Sequence, residues 1–211
     1  MTFRFFVFFL LTGLSFNLAG QNNNDSLFVF VGQKVWCKPI KNYIKSDSNS
    51  IVIHPNYKVK YKVIQNVYGT LKRKTIKFNV NDHYGAPAFS KTSYALLFVY
   101  QQNGKLHHVS NQYFDVNKTT TGRWASCGNP FRFEANKDSI KTSINVVKLD
   151  FAQPVTYKID PSKDITTINY HFPEPYFKVE GHVATGLMGC YVEDLFIVKK
   201  EGILKELGYF R

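Results

Sequence analysis

The sequence predicts a mainly β, antiparallel protein whose N-terminal half closes into a barrel and whose smaller C-terminal part is also β-rich. Three observations predict this. First, Tyr57 to Val63 (YKVKYKV) alternates strictly, with Tyr57, Val59, Tyr61 and Val63 on one face and Lys58, Lys60 and Lys62 on the other. A period of two is the pleat of a strand with one buried and one wet face; a helix would scatter these lysines around its circumference. Second, the chain holds 19 Phe and 13 Tyr, side chains that suit pleated, half-buried surfaces. Third, turn residues separate the apolar runs, most clearly at Asn103-Gly104, a strong hairpin signal.

In chain order, Leu27 to Cys37 (LFVFVGQKVWC) reads as the first strand, with Leu27, Val29, Val31, Val35 and Cys37 on one face. Gly32 marks a bulge or bend within it. Lys38 to Pro55 is a polar loop carrying the cluster SDSNS. The alternating strand then runs to Tyr68 and turns at Gly69-Thr70. Lys74 to Val80 (KTIKFNV) repeats the alternation with Ile76, Phe78 and Val80 inward, and Asn81 to Ser90 is loop. Tyr94 to Tyr100 (YALLFVY) is apolar on both faces, the mark of a central or barrel-closing strand. Lys105 to Val109 pairs back on it, and Gln112 to Val116 adds another strand. Beyond the polar break NKTTTG at 117–122, Ile144 to Phe151, Thr166 to Phe172 and Tyr176 to Val183 read as strands. Leu195 to Val198 and Ile203 to Phe210 read as a closing hairpin about Lys200-Glu201-Gly202. Helix is expected only in short stretches such as Phe133 to Thr142.

The N-terminus reads as an export signal. Met1 to Arg4 is basic, Phe5 to Phe16 (FFVFFLLTGLSF) is almost wholly apolar, and Asn17 to Gly20 is a small-residue exit. The apolar run is shorter than the roughly 20 residues a bilayer span needs. The organisation expected is a signal peptide at 1–20, a barrel at 21–120 and a C-terminal region at 121–211 packed on it as one unit. The mature chain then carries no transmembrane segment and works in the periplasm or outside the cell. The formal charge is +12, a field that attracts polyanions. Cysteines stand at 37, 127 and 190. In an oxidising compartment one disulfide can form among Cys37, Cys127 and Cys190, leaving one thiol over, and spacing does not choose the pair.

The order of the first half carries a resemblance. An apolar first strand FVFVGQKV at 28–35 leads, after a variable loop, to YKVKYKVIQNVYG at 57–69, KTIKFNV at 74–80 and YALLFV at 94–99. Over residues 27–116 this resembles the netrin-like module, the OB-like β-barrel shared with tissue inhibitors of metalloproteinases. The resemblance implies an OB-fold and says nothing of activity. Those inhibitors chelate a protease zinc through an N-terminal cysteine. This chain has none before Cys37, so that chemistry does not carry over.

The candidate chemistry is sparse. There is no nucleophile elbow, no HExxH, no P-loop, no dinucleotide fingerprint, no CxxC and no Cys/His pair at zinc spacing, so no cofactor and no metal site is expected. Asp82-His83 is the most enzyme-like pair, since a carboxylate beside an imidazole can orient a general base; it supports an alternative reading as a secreted hydrolase. The sharper hypothesis is binding. Lys58, Lys60 and Lys62 project from one strand face at steps of about 7 Å. Lys72, Arg73 and Lys74 follow at the turn, and Lys77 lies on the outward face of the next strand. If the strands pair, these seven cations form one patch for an anionic glycan, a lipid surface or a protein partner, with strong salt dependence. Nucleic acid is disfavoured, because Tyr57 and Tyr61 point away from the lysines and offer no stacking platform.

Overall fold

The computed structural model describes residues 26–40, 56–82, 85–135 and 137–210. The signal peptide expected at 1–20, the loop expected at 38–55 from Lys41 onward, and His83 lie outside them. The fold is mainly β. Five strands, β1 (Leu27–Pro39), β2 (Asn56–Tyr68), β3 (Thr75–Asn81), β4 (Tyr94–Gln102) and β5 (Lys105–Asp115), close into an OB-like barrel in the order β1-β2-β3-β5-β4. All neighbours are antiparallel except β3 and β5, which run parallel and meet at one pair, Asn79 opposite His107.

The barrel interior is filled by the inward residues of the alternating runs. Val59, Tyr61, Ile76, Phe78 and Val80 pack with Phe30, Ala95, Leu97 and Val99. Phe89, carried on a 3-10 turn at Ala88–Lys91, inserts among them. Its ring centroid lies 6.0 Å from Tyr61 and 4.6 Å from His108. Gly32 makes this filling possible: a Cβ there would stand 2.8 Å from Phe30 and 2.9 Å from Tyr61. The Asn103-Gly104 turn has φ of 49° and 74°, the doubly positive conformation that matches the strand twist of a tight hairpin.

Strand β4 is apolar on both faces because the second face is covered. Leu96 and Phe98 point away from the barrel interior and join Leu27, Val29 and Val31 in a second core with Trp124, Cys190, Val192, Leu195 and Leu204. That core fuses the C-terminal part to the barrel. The C-terminal part contains β6 (Asn117–Lys118), β7 (Trp124–Cys127), β8 (Val147–Lys148), β9 (Thr156–Lys158), α1 (Ile165–His171), β10 (Phe177–Glu180), β11 (Val183–Gly186), β12 (Met188–Tyr191), α2 (Val192–Glu201) and α3 (Ile203–Glu206). Two small sheets form, in the orders β6-β7-β12-β8 and β10-β11-β9.

Several segments differ from their sequence reading. The two faces of β1 exchange roles along its length, because register shifts fall between Val31 and Gly32 and between Lys34 and Trp36. Val29 and Val31 therefore face the second core, Cys37 packs on the barrel core, and Val35 is half exposed. The two strands expected at 105–116 are one strand with an irregularity opposite Leu97 and Val99, where Asn111 takes φ of 60°. Tyr176 to Val183 is a hairpin that turns at Gly181, not a single strand. Thr166 to Phe172 is helical in α1, whose start is capped by Asp164: its carboxylate accepts from the Thr167 amide at 2.8 Å and the Thr167 hydroxyl at 2.8 Å. The expected closing hairpin is the helix pair α2 and α3. Within Phe133 to Thr142 the helical element is a 3-10 turn at Lys137–Ser139. The C-terminal part is thus mixed α and β.

The three cysteines are free thiols. Cys190 stands opposite Ser126 on paired strands β12 and β7, so its side chain shares a face with Ser126 and not with Cys127. Cys37 packs on the barrel core. The one-disulfide expectation therefore finds no pair.

Candidate anion-binding groove on the barrel

Strand pairing brings the outward lysines together. In the register of β2 on β3, Lys60 stands directly opposite Lys77, and Lys62 opposite Thr75. On the other side of β2, Lys58 stands opposite Lys38 of β1. Like charges directly across a ladder, with Cβ atoms about 5 Å apart, destabilise the pair. Among the described residues no ion pair offsets them. The ion pairs among the described residues join Arg123 to Glu193, Lys178 to Glu180 and Lys199 to Glu134, all in the C-terminal part.

The cations line a groove of about 1020 Å³. One wall is Lys58, Lys60 and Lys77 with Lys72 and Arg73 of the β2–β3 turn; the other is the β4–β5 hairpin with Gln101, Gly104 and Lys105. The groove opens where β3 and β5 diverge from their single shared pair. Among the described residues no Asp or Glu lines it, and its partly exposed apolar side is Phe28, Leu71 and Leu106.

Five of the seven basic residues singled out from the sequence, Lys58, Lys60, Lys72, Arg73 and Lys77, line this groove. Lys62 and Lys74 are exposed but lie outside it. Lys105 and the apolar side were missed. The Asn103-Gly104 turn was legible, but only barrel closure carries its Lys105 round to face β3.

The charge is also unevenly placed. Residues 27–115 hold 13 Lys and Arg against 3 Asp, whereas residues 116–211 hold 13 against 11 Asp and Glu. Basic residues are spread along the chain, but acids are scarce in the barrel segment.

No protein-family profile, no curated protein and no solved structure matches this chain.

The other candidate groups fall elsewhere. Asp82 is described and its charge helps raise the Tyr113 phenol pKa, after burial and Asp115. Asp115 itself is pushed up by burial, against a bond from the Thr92 hydroxyl at 3.2 Å. His107 and His108 face opposite ways, as adjacent strand residues must. His107 stacks on Tyr100 at 5.4 Å, while His108 lies in the barrel. Burial lowers the His108 pKa to about 4, and its Nε2–H donates to the Gln112 carbonyl at 2.9 Å. Cys127 meets the Tyr157 hydroxyl at 3.4 Å, and burial pushes its thiol pKa up; Cys190 is pushed up to about 12. Both thiols are held protonated at neutral pH, the opposite of an activated nucleophile. Among the described residues no three His, Cys, Asp or Glu side chains converge as a metal site, and no helix is long and apolar enough to cross a membrane.

Proposed function

We propose that this chain is an exported, non-enzymatic binding module of OB-like, netrin-like type, and that it holds an anionic partner in the groove between β2–β3 and the β4–β5 hairpin. The observation that carries this reading is the confrontation of Lys60 with Lys77, in a groove whose described lining holds six cations and no acid. A fold selected for stability alone gains nothing from opposing like charges on paired strands. A surface that receives an anion does, because each cation then acquires a partner. The location agrees with OB-folds in general, whose strands 2 and 3 present the ligand face. Export follows from the leader at 1–20, and it places the groove where anionic surface polymers and lipids are met.

The test is retention on a sulfated-polysaccharide column. Lys60→Glu with Lys77→Glu should move elution to markedly lower salt, whereas Lys178→Glu, on the C-terminal sheet, should elute almost as the parent does. If the groove variant and the parent coelute, the reading is wrong. N-terminal sequencing of the secreted species should begin near Gln21; a species that retains Met1 would remove the export part.

A further inference from the structure

Resting on that reading, we propose that the groove's ligand is a single-chain amphiphile with a phosphate head, its alkyl chain lying along Phe28, Leu71 and Leu106. Two features of the groove select this chemistry over a plain polyanion. The first is the charge of the head. Lys60 and Lys77 face each other directly, and Lys72 and Arg73 stand at the adjoining turn. A phosphate monoester brings about −1.5 to −2 charges at pH 7 and three acceptor oxygens, so it can satisfy two lysines and an arginine fork together. A single carboxylate brings one charge.

The second feature is the apolar side. Phe28, Leu71 and Leu106 pack against the barrel core from its end and remain partly exposed beside the cations. A fully hydrated glycan or inorganic anion leaves that surface wet. An alkyl chain covers it, and burying each methylene contributes up to about 0.8 kcal/mol. The volume, about 1020 Å³, lies at the upper end of small-molecule sites, which run from about 300 to 1,000 Å³. The groove therefore offers both halves of an amphiphile's requirement within one cleft.

The experiment is titration calorimetry of the full mature chain with inorganic phosphate and with hexyl, octyl and decyl phosphate, all below their micellar concentrations. Affinity should rise about two- to fourfold per methylene. Leu71→Ser should flatten that rise. Equal affinities for phosphate and decyl phosphate would overturn the inference; if column retention still depended on Lys60 and Lys77, the anion-binding reading would survive it. Binding to phosphatidylglycerol vesicles without binding of monomeric decyl phosphate would also overturn it, in favour of adsorption to a lipid surface. If neither the alkyl phosphates nor the column bind, the anion-binding reading itself falls. The chain-length series on the parent protein stands whether or not Leu71→Ser folds.

Discussion

His108 shows how much one buried side chain can set the response of the protein to pH. Its ring lies against Phe89 and Phe78, and no charged side chain is among its ring or hydrogen-bonding partners. The imidazole is therefore kept neutral, with a pKa of about 4 against an ordinary value near 6.5. The unfolded chain binds the proton more readily than the folded one. Stability is fully present above about pH 6.5 and is lost as pH falls toward 4. At about 1.4 kcal/mol per unit the loss reaches roughly 3 kcal/mol. Asp115, whose pKa is raised by burial, pushes the other way, so the imidazole's share is isolated by substitution. His108→Phe should flatten the fall in urea midpoint between pH 7 and pH 4.5; an unchanged slope would show that the acid sensitivity lies elsewhere. Gly32 is the second residue on which the barrel turns. Gly32→Ala forces a methyl to within 3 Å of Phe30 and Tyr61. Chemical denaturation should report a cost of about 1–3 kcal/mol, the usual range for overpacking a core.

Among the elements, α2 and its neighbours are held by an ion pair. The Lys199 ammonium donates to the Glu134 carboxylate, with side-chain exposures of 6 % and 1 %. The same carboxylate accepts from the Ile203 amide at 3.2 Å, at the start of α3. The pair thus ties the loop after β7 to both helices. Removing one partner leaves the other charged and buried, so Glu134→Gln should destabilise by about 3–5 kcal/mol, whereas Glu134→Leu with Lys199→Met should cost far less. Thermal melts of the two variants decide it. The β2–β3 ladder predicts the reverse behaviour. Lys77→Glu replaces a repulsive cross-strand pair by an attractive one and should raise stability by about 0.2–1 kcal/mol while lowering retention on the polysaccharide column. A variant both less stable and fully retained would count against a binding role for Lys77. The helices also show what strand-based reading overlooked. Glu193 and Asp194 sit in the first turn of α2 and Lys199 and Lys200 in its last, the charge order that a helix dipole favours. Val192, Leu195 and Val198 recur every three residues on its buried side. These signals were present, but Lys200-Glu201-Gly202 suits a hairpin turn as well as a helix end.

On the scale of the whole molecule, charge and packing are divided between the two parts. The barrel segment carries most of the net positive charge, because its acids are few, and the C-terminal part is nearly balanced. One core, built on Leu96, Phe98, Val29 and Val31, joins them. Leu195→Ala, which removes a fully buried contact to that core, should cost about 2–5 kcal/mol. Because the core is shared, unfolding followed by far-ultraviolet circular dichroism and by tryptophan fluorescence should remain a single transition. Separate transitions would show that barrel and C-terminal part are independent domains.

The sequence by itself determined β2, β3 and β4, the inward residues of β2 and β3, the Asn103-Gly104 turn and five of the groove's cations. Each is written in local alternation, and a period of two needs no knowledge of partners. Tertiary structure alone decided that Lys60 faces Lys77, that Lys105 closes the groove from the far wall, and that Leu96 and Phe98 face outward into a second core. It also decided the two helices at the end of the chain. Register, closure and the burial of a helix face are long-range choices, made by which surfaces meet, and no short window of residues contains them.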